Sequence, residues 1–132
     1  LRARDKLLFA IERYVELFSL QPAKTIALGF SQGSVLLSAS VLTGILRLDG
    51  LGILAGFVSK IGGSSLIQGK LKVFVAHGEA DEVLSVEKAR KGVQRLKSYG
   101  LDVSYVEEEG VGHKLGIQGM RALKEWIGQV LE

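Results

Sequence analysis

Apolar and polar positions along the chain follow two different periods, and the changes of period mark the elements. Between Asp5 and Leu20, Leu7, Leu8, Ile11, Tyr14, Val15 and Phe18 recur every three or four residues among Glu12, Arg13 and Glu16, the spacing of an amphipathic helix. Pro22 ends it, because the residue before a proline is pushed out of the helical region. "KTIALGF" at 24–30 then reads as a buried strand, the kind a parallel sheet uses. A second helix over 33–44 is apolar nearly all round and stops at Gly44. "DGLGILAGF" supplies a short second strand, the glycine- and serine-rich "SKIGGSSLIQG" an irregular connection, and "KLKVFVAHG" a third strand centred on Val73, Phe74 and Val75.

The pattern continues with a helix over 85–100, in which Ser85 is the candidate N-cap, Lys88 and other basic residues form an outer face, and Gly100 is the stop. "LDVSYVEEE" predicts a fourth strand and "GVGH" a turn. A last helix over 116–131 carries Met120, Leu123, Ile127 and Val130 along one side. Strands separated by helices or long connections pair in parallel through right-handed crossovers. The order αβαβ-βαβα therefore predicts an α/β fold of about four parallel strands with flanking helices, in one domain over 1–132.

Composition removes several function classes. The 132 residues, 47% hydrophobic, suit a single core. The 17 basic and 14 acidic residues are scattered, whereas a nucleic-acid binder concentrates its cations in a patch. With no cysteine there is no disulfide, thiolate metal site or cysteine nucleophile, which fits a reducing, cytoplasmic compartment. The longest apolar run, "LGILAGFV" at 51–58, is far short of the roughly 20 residues of a membrane-spanning helix. Two histidines without a third convergent ligand fall short of a catalytic zinc set, so no metal is expected. The run Gly62-Gly63-Ser64-Ser65 lacks the P-loop pattern and reads as a loop.

What remains is "GFSQG" at 29–33, which matches G-x-S-x-G. In that motif a sharp strand-to-helix turn lifts a strained serine above a sheet, and here it falls between a predicted strand and a predicted helix, with Gly29 and Gly33 making room for the turn. A serine hydroxyl needs a base within hydrogen-bond reach and a group to orient that base. The chain order serine, acid, histidine selects His113, in the turn after the fourth strand, and requires an acid between it and Ser31. Catalytic groups on an open parallel sheet gather beyond the carboxyl ends of the strands. Asp81 follows a strand there, whereas Asp49 and Asp102 precede strands and belong to the opposite end. Glu79, Glu82 and Glu107 to Glu109 read as solvated charges at the strand mouth. His77 reads as a histidine that settles a backbone hydrogen bond and shapes its turn.

Together these residues resemble the α/β-hydrolase superfamily, and within it the phospholipase/carboxylesterase family that includes acyl-protein thioesterases. "LGFSQGS" is similar to that family's nucleophile segment, "VFVAHGEADEVLSVEKAR" to its acid loop and following helix, and "GVGHKLG" to its histidine turn. The resemblance implies a serine hydrolase of carboxylic esters or thioesters, needing no cofactor, with Ser31 as nucleophile, His113 as general acid/base and Asp81 as orienting carboxylate. It also implies that the backbone N–H of Gln32 is one oxyanion donor. Ser34 and Glu82 depart from the family's usual glycine and proline, outside the triad.

The chain, which begins with leucine, resembles the C-terminal half of the family's domain. By that resemblance the strand and glycine-containing loop that supply a second oxyanion donor are missing, and an apolar strand edge near Lys24–Gly29 is left bare. Two expectations follow: self-association, as a homodimer through that edge or with a separate N-terminal segment, and weakened catalysis. The rival reading is a weak or inactive hydrolase fragment that persists as an assembly module.

Overall fold

The computed structural model of the chain describes residues 3–17, 24–44, 46–60 and 70–132. Its elements are α1 (Ala3–Leu17), β1 (Ile26–Phe30), α2 (Gln32–Leu42), β2 (Gly50–Leu54), β3 (Lys72–Gly78), α3 (Val86–Ser98), β4 (Asp102–Glu108) and α4 (Ile117–Leu131). The four strands form one sheet in the order β1-β2-β3-β4, and every pair is parallel. This is the α/β architecture that the alternation of periods predicts. The expected connection over 61–69, with its Gly62–Ser65 run, and the helix stop at Gln21 and Pro22 lie outside the described residues.

Successive side chains of a strand face opposite sides, and β3 divides accordingly. Val73 and Val75 join Leu51, Ile53, Leu37, Val41, Val93 and Leu96 in a core beneath α2 and α3, with Leu7 and Ile11 of α1 packed against it. Phe74 and Ala76 face the other way and meet Leu123, Trp126 and Val130 of α4. The Phe74 and Trp126 rings pack with centroids 5.6 Å apart. The serines of the apolar α2 do not break its burial, because Ser38 and Ser40 donate their hydroxyls to carbonyls of their own helix, Val35 O and Leu36 O.

Two local expectations are corrected. The burial expected of "KTIALGF" is only partial: among the described residues β1 is an edge strand, Gly29 is buried, and Leu28 and Phe30 are 45% and 48% exposed on the side that α4 leaves uncovered. The core face of α4 is Gly119, Leu123, Trp126 and Val130, so Met120, in the predicted stripe, is turned away and 56% exposed. This helix has apolar residues over more than one stripe, and the large indole rather than the thioether settles which stripe meets the sheet. Ser85 occupies the N-cap position of α3, but its side chain makes no capping hydrogen bond. Gly44 and Gly100 follow the last residues of α2 and α3 in the left-handed region, as helix stops do.

Candidate active site

At the end of β1 the chain reverses into α2 through Ser31, whose φ of 54° and ψ of −123° lie in a region that L-residues rarely adopt. The turn is so tight that a Cβ on Gly29 would lie 2.5 Å from Ser34 Cα and 2.7 Å from its nitrogen. Gly33 has no such role: a Cβ there would meet nothing within 4 Å, because that position faces open space. The expectation that both glycines make room holds for Gly29 alone. Ser34, which accompanies the turn, is fully buried and donates its hydroxyl to Ser31 O at 2.5 Å. Ser31 N–H donates to Leu54 O at 2.8 Å, anchoring the turn to β2. Gln32 is the first residue of α2, so its N–H is one of the donors that a helix leaves without an internal acceptor.

Asp81 lies in the loop after the central strand β3, and its side chain has no solvent exposure. Its Oδ1 accepts the N–H groups of Val83 at 2.8 Å and Leu84 at 2.9 Å. Its Oδ2 accepts His113 Nδ1 at 2.8 Å and lies 3.3 Å from His77 Nε2. Burial pushes the carboxyl's pKa up, but the hydrogen bonds from His113, Leu84 and Val83 outweigh it and leave Asp81 below its ordinary 3.8. His77 is buried and donates Nε2–H to Leu84 O at 2.7 Å, in the turn-shaping place expected for it.

The far nitrogen of His113, Nε2, lies 3.0 Å from Ser31 Oγ. Since a carboxylate only accepts, Nδ1 carries the proton toward Asp81 and Nε2 presents its lone pair to the serine hydroxyl. The imidazole is 21% exposed and lies against the Phe30 ring, centroids 5.2 Å apart. Ser31, His113 and Asp81, some 82 and 32 residues apart in sequence, thus form one hydrogen-bonded series at the carboxyl rim of the sheet.

Asp49, by contrast, sits at the opposite end of β2 and accepts Thr25 N–H at 2.7 Å. Glu79, Glu82 and Glu109 are exposed, as solvated charges are. Glu107 and Glu108 are not. Glu107 takes Arg90 Nε and Nη2 at 2.8 Å each and the Tyr105 hydroxyl at 2.7 Å. The Arg90 and Tyr105 hydrogen bonds bring its pKa from 4.5 down to about 2, against a smaller opposing effect of burial. Glu108 is buried and accepts two N–H groups at the start of α4. Apart from Tyr105, two residues before Glu107 on the same strand, their partners lie 8 to 17 residues away, so the run "EEE" itself carried no signal separating them from Glu109. Leu115 packs toward the α4 core, and Leu84 is half-buried beside Asp81.

Among the described residues no group of three or more His, Cys, Asp or Glu is placed to hold a metal ion, and no helix is long and apolar enough to cross a membrane.

Known proteins share this arrangement of elements. Three curated relatives illustrate the likeness. A probable carboxylesterase of Oryza sativa subsp. japonica is 29% identical over 114 residues, covering 82% of this chain and 42% of its own length. A probable inactive carboxylesterase of the same plant is 26% identical, with 83% and 46% covered. Acyl-protein thioesterase 1 of Kluyveromyces lactis is 27% identical, with 86% and 53% covered. The chain thus spans about half the length of the curated relatives it matches. In fold it is similar to the crystal structure of the Bacillus cereus carboxylesterase, with a TM-score of 0.83 at 20% identity over 96% of this chain and 59% of the other. The model of the phospholipase/carboxylesterase family matches residues 10–131, nearly the whole length over which the strands, the serine turn and the histidine turn are laid out, and the chain belongs to that family.

Proposed function

We propose that the chain hydrolyses carboxylic esters or thioesters of small acyl groups through an acyl-enzyme. The observation that carries this reading is the series Ser31 Oγ, His113 Nε2 at 3.0 Å, and His113 Nδ1 to Asp81 Oδ2 at 2.8 Å. In the reaction, Ser31 Oγ attacks the acyl carbonyl carbon while His113 Nε2 takes the hydroxyl proton. Asp81 holds the ring and stabilises the imidazolium. The carbonyl oxygen becomes an oxyanion that accepts the Gln32 N–H at the positive end of α2. Collapse expels the alkoxide or thiolate, which leaves with the proton from His113. Water, deprotonated by the same nitrogen, attacks the acyl-serine, and the acid departs as the proton returns to Ser31. Each step is acyl or proton transfer, so no cofactor enters.

The Gln32 N–H is assigned as one oxyanion donor, and removing a donor of this kind costs about 10²- to 10³-fold in turnover. A fluorophosphonate probe tests the reading directly, since covalent capture requires an activated hydroxyl. Labelling of the folded chain, abolished in Ser31→Ala, is the expected result. A folded protein that stays unlabelled defeats it.

A second reading is favoured by the edge of β1, which has no strand on its outer side among the described residues and where Leu28 and Phe30 are half exposed. An unpaired apolar edge invites strand addition, and the chain then works as an assembly module, with a second copy or a separate segment paired along Lys24–Gly29. Sedimentation equilibrium at micromolar concentration distinguishes it: a monomer under those conditions removes self-association.

A further inference from the structure

The turn that carries His113 is closed by one carboxylate. Glu108 ends β4, is 2% exposed, and accepts Gly116 N–H at 2.8 Å and Gly119 N–H at 2.7 Å through its two oxygens. Gly116 is the N-cap residue of α4 and has no side-chain oxygen to offer. Glu108 supplies that missing acceptor from the other end of the turn, at the positive pole of the helix. The segment between residues 108 and 116 is thereby a ring: main chain on one side, the carboxylate on the other.

The same residue also binds the acid loop. Glu108 O accepts Glu79 N–H at 2.9 Å, and Ala80 N–H donates to Val111 O at 2.9 Å. The two loops approach so closely at Gly78 that a Cβ there would collide with the carbonyl oxygens of Val111 and Gly112. Backbone carbonyls of Glu108 and Val111 thus join the histidine turn to the acid loop, while the Glu108 carboxylate joins the same turn to α4.

We infer that Glu108 is a positioning residue: its carboxylate cinches the His113 turn onto the N-terminus of α4 and so holds the imidazole between Asp81 and Ser31. It touches no reacting atom. The inference rests on the serine-hydrolase reading, and a displacement of about 1 Å in such a site costs on the order of 10²-fold in rate. Plain helix capping would leave the imidazole where it is; a cinch would not.

The test follows the His113 Nδ1–H proton by NMR in histidine-labelled protein, alongside ester turnover and melting temperature. The unaltered chain should show a strongly downfield Nδ1–H signal from the His113–Asp81 bond, whether or not it turns over substrate. In Glu108→Ala that signal should be lost or exchange-broadened, with kcat down about 10- to 100-fold and KM within twofold. Glu108→Gln keeps one acceptor and the volume; it is expected to fold even if the alanine variant does not, and to fall between. A downfield signal and kcat unchanged in folded Glu108→Gln and Glu108→Ala would overturn the inference, as would a lowered melting temperature with the signal intact. An unaltered chain that lacks the signal fails at the earlier step and defeats the hydrolase reading, and with it the role assigned to Glu108.

Discussion

The two halves of the candidate site are built differently. Asp81 and His113 belong to the interior half: the acid follows the central strand, its carboxylate is sealed from solvent, and backbone hydrogen bonds stitch its loop to the histidine turn. Ser31 belongs to the edge half, after a strand that has one hydrogen-bonded neighbour among the described residues and two half-exposed apolar side chains. Asp81 and His113 are thus preorganised by contacts within the chain. Ser31, among the described residues, is held from the side of β2 and the start of α2. Reactivity of the serine should accordingly be the property most sensitive to whatever lies along β1, while the imidazole, which is tied to Asp81 and meets β1 through the Phe30 ring, should respond less.

The largest expected effect is on the edge half. Ser31→Ala should lower ester hydrolysis on the order of 10⁴- to 10⁶-fold with the fold unchanged, and residual turnover near the starting level would show that another group does the chemistry. Ser31→Gly should be equally inactive but more stable than Ser31→Ala by about 1 kcal/mol, since glycine adopts the positive φ without strain; chemical denaturation measures the difference.

On the interior half, Asp81→Asn should cost about 10³- to 10⁴-fold, because an amide no longer enforces the tautomer with the Nδ1 proton. Loss below tenfold, by steady-state kinetics, would mean that the imidazole is oriented by other contacts.

Leu28→Lys is a milder change, aimed at the edge itself. The lysine stem can still lie across β2 while its charge opposes strand addition. If the chain self-associates through β1, the apparent dimer dissociation constant should rise at least tenfold in sedimentation, with the His113 NMR signal unmoved. An unaltered constant would place association elsewhere.

The smallest effect concerns Glu107, beside the interior half. Its folded-state pKa of about 2 lies below the ordinary 4.5, so its contribution to stability is complete above about pH 4.5 and is lost as the pH falls toward 2. Arg90 is 42% exposed, so solvent screening keeps the contribution of the pair small. Glu107→Gln should lower stability only slightly at pH 7 and flatten the acid limb between pH 4.5 and 2. An identical acid limb in both proteins would remove this role.

What could be read without coordinates was local or followed from chain order. The strand "TIALGF" running into a G-x-S-x-G turn and an apolar helix announced itself because each period is a short-range property. Asp81 was separable from Asp49 and Asp102 because parallel strands put every strand's carboxyl end on one rim. The misreadings share a different origin. Glu107 and Glu108 looked like their solvated neighbour Glu109, because a carboxylate's fate depends on which donors the fold brings to it: Arg90 from α3, Gly116 and Gly119 across a turn. Met120 and Trp126 shared a helix with apolar residues on more than one side, and periodicity does not say which side meets a sheet.

The amino-acid sequence by itself determined the elements, their parallel order and the places of Ser31, Asp81 and His113 after strands, since backbone sterics and apolar periodicity operate over a few residues. Tertiary structure alone decided the hydrogen-bond distances, the sealing of Asp81, the exposure of β1 and the tie from Glu108 to α4. Those depend on long-range packing that brings donors and acceptors together, and burial raises the penalty for leaving any of them unpaired.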